Sequence, residues 1–136
     1  MMYVAYSICA YEKISVIIAG SRSYDDYNTL AEECDRILSL KVKDADTEIV
    51  VVSGHASGAD ALGERYAQER GFGLETFPAD WTKFGRAAGP IRNAQMASVA
   101  HALIAFPKAG EQNRGTKNMV DLAVRKGLQI RIIGEI

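Results

Sequence analysis

The chain is poor in the residues that build metal centres and disulfide frameworks: 136 residues include two cysteines and two histidines. Cys9 and Cys34 have no metal-ligand spacing, and His55 and His101 are isolated. They read as incidental side chains in a reducing cytoplasm, with no metal and no cofactor called for. No apolar stretch reaches the ~18–20 residues of a membrane span. Met1–Tyr11 is apolar but lacks the basic start and small-residue cleavage site of a signal peptide. Neither sign of charge dominates, since 16 Lys and Arg face 17 Asp and Glu. That balance argues against an extended nucleic-acid face and for a small ligand. The Gly-x-Gly-x-x-Gly fingerprint is also missing after the first apolar run, which argues against a plain NAD site.

What is present is the alternation of a soluble α/β domain. Short apolar runs at Ile14–Ala19, Ile49–Val52, Leu74–Phe77, Ala102–Phe106 and Ile130–Ile133 are mostly not alternating, the pattern of strands covered on both faces. Helical spacing over Tyr27–Leu40, Ala59–Arg70, Ile91–Val99 and Thr116–Lys126 separates them, with Gly71 and Gly127 placed as C-terminal caps. The order predicts a Rossmann-like, doubly wound parallel sheet of about five strands flanked by helices. Residues 13–136 form the predicted domain, and 1–12 an N-terminal extension that supplies an edge strand or a subunit contact.

In such a sheet, ligands sit beyond the strand C-termini where the strand order reverses. The loops that follow the first, second and fourth strands carry the unusual residues. The segment from Pro107 to Met119 leads into a helix, and Gly115-Thr116 would present free backbone N–H groups to a phosphate there, with Arg114 beside them. A second strand–loop–helix junction runs Ser53-Gly54-His55-Ala56-Ser57-Gly58-Ala59-Asp60. Two such junctions suggest a nucleotide, although Ser57 and Asp60 also suit simple helix capping. In the first loop, Gly20-Ser21-Arg22, the arginine either forks onto a phosphate or pairs with Asp25 or Asp26. The irregular stretch 77–93 holds Trp81 and Phe84, read first as pins to the core and second as cover for a base. It ends with Pro90 in a helical first turn, from which Arg92 and Asn93 project.

Taken in order, these blocks resemble the SLOG superfamily, most closely its YspA-like branch, related to the LOG phosphoribohydrolases and to the core domain of DprA. The carriers are Ala19-Gly20-Ser21-Arg22, residues 53–60, Pro78-Ala79-Asp80-Trp81, Gly85 through Met96, and Arg114-Gly115-Thr116. The resemblance implies a nucleotide or nucleotide-derived ligand, with the Gly-Thr pair at the phosphate and Arg22 nearby. It also implies a homo-oligomer, a dimer or higher. LOG enzymes cleave the N-glycosidic bond of nucleoside monophosphates with a Glu after the Gly-Thr pair, and here Met119 holds that position. The catalytic residue is therefore unknown. Asp60, Glu64, Asp80 and Glu111 are the carboxylates that could replace it, Asp60 and Asp80 foremost.

Three functions follow. The first is a module that senses, carries or sequesters a nucleotide-derived ligand, touched by Gly20, Ser21, Arg22, Ser53, Gly54, Ser57, Gly58, Asp60, Arg92, Asn93, Arg114, Gly115 and Thr116. The second is a nucleoside 5′-monophosphate N-glycosidase. The third, not favoured, is single-stranded nucleic-acid binding. Arg92 and Thr116 are expected to serve the ligand and to be replaceable without harm to the fold.

Overall fold

A computed structural model describes residues 12–41 and 46–136. Apart from Glu12, which opens the first strand, the expected N-terminal extension lies outside the described residues. Strand β1 (Glu12–Gly20) is followed by α1 (Tyr27–Lys41), β2 (Thr47–Ser53), α2 (Ala59–Arg70) and β3 (Gly73–Thr76). Then come a short helix α3 (Trp81–Phe84), a 3₁₀ turn over Gly85–Ala87, α4 (Ala88–Val99), β4 (Ala102–Phe106), α5 (Arg114–Lys126) and β5 (Gln129–Ile132). The stretch 77–93, expected to be irregular, is therefore mostly helical. Asp80 nucleates it by accepting the Lys83 N–H at 3.0 Å.

Among the described residues, the five strands are parallel, in the order β3-β2-β1-β4-β5. Ile14 of β1 pairs with Ile49 of β2, and Ile18 with Ile104 of β4. The period of two along β1 sorts its side chains between two cores. Val16 and Ile18 pack with Leu30, Cys34 and Ile37 of α1 and Ala59, Tyr66 and Ala67 of α2. Ile17 and Ala19 face the other way, onto Met96 and Ala97 of α4 and Met119 and Ala123 of α5. With both faces covered, each fully buried Ile, Val or Leu contributes about 1.5–3 kcal/mol. This is the expected doubly wound α/β sheet, and it explains the continuous apolar runs.

The helix C-termini fall where the sequence places them: Gly71 closes α2 and Gly127 closes α5 in the left-handed conformation. The start of α5 differs. It begins at Arg114, so Gly115 and Thr116 lie inside its first turn.

Candidate functional site

Strand order reverses between β1 and β4, so the loops leaving these two strands part and open a cleft of about 550 Å³. Its walls come from four segments: Gly20, Ser21 and Arg22; Ala56 and Asp60; Trp81, Arg86, Arg92 and Asn93; and Glu111 through Thr116. Four arginines thus face two carboxylates, Asp60 and Glu111, which makes the lining favourable to anions. The lining brings together nine of the ligand-contact residues named from sequence: Gly20, Ser21, Arg22, Asp60, Arg92, Asn93, Arg114, Gly115 and Thr116.

Ser53, Gly54, Ser57 and Gly58 shape this wall without belonging to the lining. Gly58 has φ 74, and a Cβ there would lie 2.2 Å from the Ser21 carbonyl oxygen. Only glycine lets the two loops touch. The Ala59 N–H then donates to Ser21 O at 3.0 Å, and Ser57 Oγ donates to Arg22 O at 3.1 Å. Ser53 is fully buried and donates its hydroxyl to Glu64 at 2.7 Å, while His55 Nδ1 meets the same carboxylate at 2.9 Å. Glu64 is thereby committed to its own loop.

The capping alternative for this loop does not hold. The N-cap of α2 is Gly58, with no side-chain bond, and Asp60 reaches back to accept the Ala56 N–H at 3.2 Å. Asp60 is 7% exposed, and burial pushes its carboxyl up to about 6, with Glu64 adding to the rise. The Ala56 N–H and the charges of Arg92 and Arg22 act in the opposite direction. Asp80 is different: it is the exposed cap of α3 and lies outside the lining.

Arg92 and Asn93 lie on the buried face of α4. Arg92 donates through Nη1 to the carbonyls of Gly54 and, at 3.5 Å, of Phe77, and through Nε to Asn93 Oδ1 at 2.9 Å. Asn93 in turn donates to Gly115 O and Asn118 Oδ1 at 3.3 and 2.9 Å. Gly54 makes room for this clamp, since a Cβ there would fall 2.5 Å from Arg92 Nη1. These bonds fasten α4 to the second loop and to α5, so replacing Arg92 is expected to harm the fold. Arg92→Ala is expected to lose about 2–4 kcal/mol by leaving the buried carbonyls of Gly54 and Phe77 without this donor and removing a positive charge that favours the Asp60 carboxylate. A urea denaturation midpoint equal to that of the parent protein would overturn this.

Among the described residues, no side chain caps the N-terminus of α5. Asn113, at φ 52, turns its amide backwards, donating to Lys108 O and Glu111 O and accepting the Lys108 N–H. The first-turn N–H groups of α5 and the positive end of its dipole are left for another partner. One turn on, Met119 is 1% exposed and packs with Met96 in the core. An apolar side chain thus stands where LOG enzymes are expected to hold a carboxylate.

Trp81 is not a core pin. It is 49% exposed, lines the cleft, and has the Arg22 guanidinium 5.4 Å from its ring centroid. Asp26 is bonded instead to Thr29, through the N–H at 3.1 Å and the hydroxyl at 2.6 Å, at the start of α1. Arg22 therefore pairs with an aromatic face and not with Asp26. The sequence reading missed Ser23 altogether. Its hydroxyl and that of Ser21 both donate to Glu111 at 2.8 Å, tying the first loop to the fourth. A serine next to a named loop arginine was the available signal. Among the described residues, no three His, Cys, Asp or Glu side chains converge as a metal site would require.

The model of the YspA, cpYpsA-related SLOG family matches residues 14–84, from β1 to α3. The chain belongs to this family. The matched span carries the first loop, the Gly54–Asp60 loop and Trp81 of this SLOG protein. The "Gene 61 protein" of Mycobacterium phage D29 is 32% identical over 130 residues, covering 88% of this chain and 96% of the relative. Among solved structures, DNA processing protein A (DprA) from Streptococcus pneumoniae superposes with a TM-score of 0.63 at 16% identity. That match covers 96% of the SLOG chain and 53% of the DprA chain, so the SLOG chain spans about half its length. At that identity the likeness shows the α/β fold alone.

Proposed function

We propose that the cleft binds a nucleotide or nucleotide-derived small ligand, with its phosphate at the start of α5 and its base against Trp81. One observation carries this reading: an uncapped helix N-terminus opens onto the same cleft as an exposed tryptophan faced by arginine. The proposal takes residues 13–136 as one ligand-binding domain that works as a homo-oligomer. Thermal stabilisation by nucleoside monophosphates or cyclic nucleotides, recovered intact by chromatography, is the expected result. No stabilisation by any member of the panel would remove the reading.

Trp81 is the sole tryptophan of the chain, so its fluorescence reports directly on ligand in the cleft. Stacking on an aromatic ring is worth ~1–3 kcal/mol per base. Trp81→Ala is accordingly expected to weaken nucleotide binding roughly tenfold or more, while leaving the affinity for inorganic phosphate unchanged. An equal loss for both ligands, read by calorimetry, would place the base elsewhere.

A second reading, nucleotide N-glycosidase, is favoured by one feature, the buried Asp60 carboxyl in the cleft wall with its proton affinity raised to about 6. In that chemistry Asp60 takes a proton from the water that adds to C1′. The C1′–N bond breaks, and its electron pair leaves with the base, which then takes up a proton. Release of free base by the parent protein and not by Asp60→Asn separates this from simple binding.

A further inference from the structure

The two serine hydroxyls of the first loop converge on one acidic side chain that comes from the other side of the cleft. Glu111 Oε2 accepts from Ser21 Oγ and from Ser23 Oγ, both at 2.8 Å. Its Oε1 accepts from Ser21 Oγ at 3.3 Å and closely from Ser23 Oγ. Ser21 is 7% exposed and its hydroxyl also accepts the Ser23 N–H at 3.2 Å, so the donor pair is fixed by the backbone. Lys108 adds a positive charge beside it through Nζ to Ser23 O at 3.3 Å. The Glu111 carboxyl is held below the usual carboxylate range by the hydrogen bonds from Ser23 and Ser21.

We propose that Ser21 and Ser23 form an anion subsite for a phosphate monoester, and that the chain's own Glu111 carboxylate occupies it in the free protein. This rests on the nucleotide reading above. Two hydroxyls arranged to satisfy two carboxylate oxygens also satisfy two phosphate oxygens, because both acceptors are anionic and take the same O–H donors. The two anions exclude each other, since both need the same two hydroxyl donors and a phosphate in contact with an ionised carboxylate meets like-charge repulsion at short range. Glu111 must therefore leave before the phosphate can bind. Its place on an exposed loop beginning at Pro107 allows that movement without disturbing the sheet.

The subsite and its occupant act in opposite directions on two observables. In the free protein Glu111 bonds two loops together, so Glu111→Ala is expected to lower the melting temperature. In the same variant a bound monophosphate is expected to raise that temperature by more than it does in the parent protein. A side chain of purely structural use would lower both.

The deciding experiment is calorimetric titration of parent, Glu111→Gln and Glu111→Gln/Ser23→Ala with inorganic phosphate, with AMP, GMP, CMP and UMP, and with the four nucleosides. Glu111→Gln is expected to bind a monophosphate on the order of tenfold tighter than the parent. The nucleosides should be unaffected, and the gain should vanish when Ser23 loses its hydroxyl. Unchanged or weaker binding in Glu111→Gln, with a parent that does bind monophosphates, overturns the subsite and leaves the nucleotide reading standing. A gain that survives Ser23→Ala also overturns it, because charge alone would then explain the effect. Binding of no member of the panel by any of the three proteins removes both.

Discussion

Asp60→Asn is expected to stabilise the protein by about 3 kcal/mol near pH 7.5 and to leave its stability unchanged near pH 3.5. The folded Asp60 carboxyl keeps its proton up to about 6, against an ordinary value of 3.8. Between those limits the folded state holds a proton that the unfolded chain has released, so stability falls as pH rises through the window. Below about 3.8 both states are protonated and the residue contributes no penalty. Above about 6 the whole penalty stands, and an amide of the same shape does not incur it. Asn keeps an oxygen for the Ala56 N–H, so the loop retains its bond. Denaturation at the two pH values checks this, the gain near pH 7.5 corresponding to roughly 10 °C in melting temperature for a domain of this size. An equal gain at both pH values would mean that packing and not charge is responsible. A carboxylate kept buried against its own solvation is the kind of feature that function retains at the expense of stability.

Gly58→Ala is expected to be strongly destabilising, by roughly 3–5 kcal/mol. Two terms combine. An L-residue at φ 74, ψ −128 sits in a region open essentially to glycine alone and carries about 1–3 kcal/mol of strain, and the new Cβ would stand 2.2 Å from Ser21 O, 2.4 Å from the Arg22 carbonyl carbon and 2.5 Å from its oxygen. Those are backbone atoms, so relief requires the first loop to separate from the second. Gly110 supplies the comparison, with φ +83 and nothing within 4 Å of its would-be Cβ. Gly110→Ala should therefore show the strain alone, about 1–2 kcal/mol. Urea denaturation of both variants isolates the interlock. Equal losses would show that contact between the loops contributes nothing.

The sheet was legible in the sequence because a strand covered on both faces leaves little room for polar residues; Ile49–Val52 and Ala102–Phe106 announce themselves that way. The cleft was legible as a place, since fold class dictates where loops diverge. Individual roles were less so, and the failures share one cause. Arg92 was read as free for a ligand because the carbonyls it holds, Gly54 and Phe77, lie far away in sequence. Glu111 was read as a stand-in catalytic carboxylate because its partners, Ser21 and Ser23, belong to the opposite loop. The start of α5 was placed two residues late because Asn113 adopts a left-handed conformation and bonds backwards, so no local capping signal marks the true end. Trp81 was assigned to the core because aromatic size predicts burial on average, whereas this ring lies at the cleft edge, half exposed, beside Arg22 and Gly89.

The strand order also governs how the molecule comes together. β1 sits at the centre of the sheet, yet it finds β2 early in the chain and β4 only after three more helices and a third strand have been made. The layer of α1 and α2 on one face needs mainly the first half of the chain, whereas the layer of α4 and α5 needs the second. The cleft runs along the join between these halves and takes its walls from both. It is therefore complete only when both halves are in place, and a molecule bound there acts as a fastener between them.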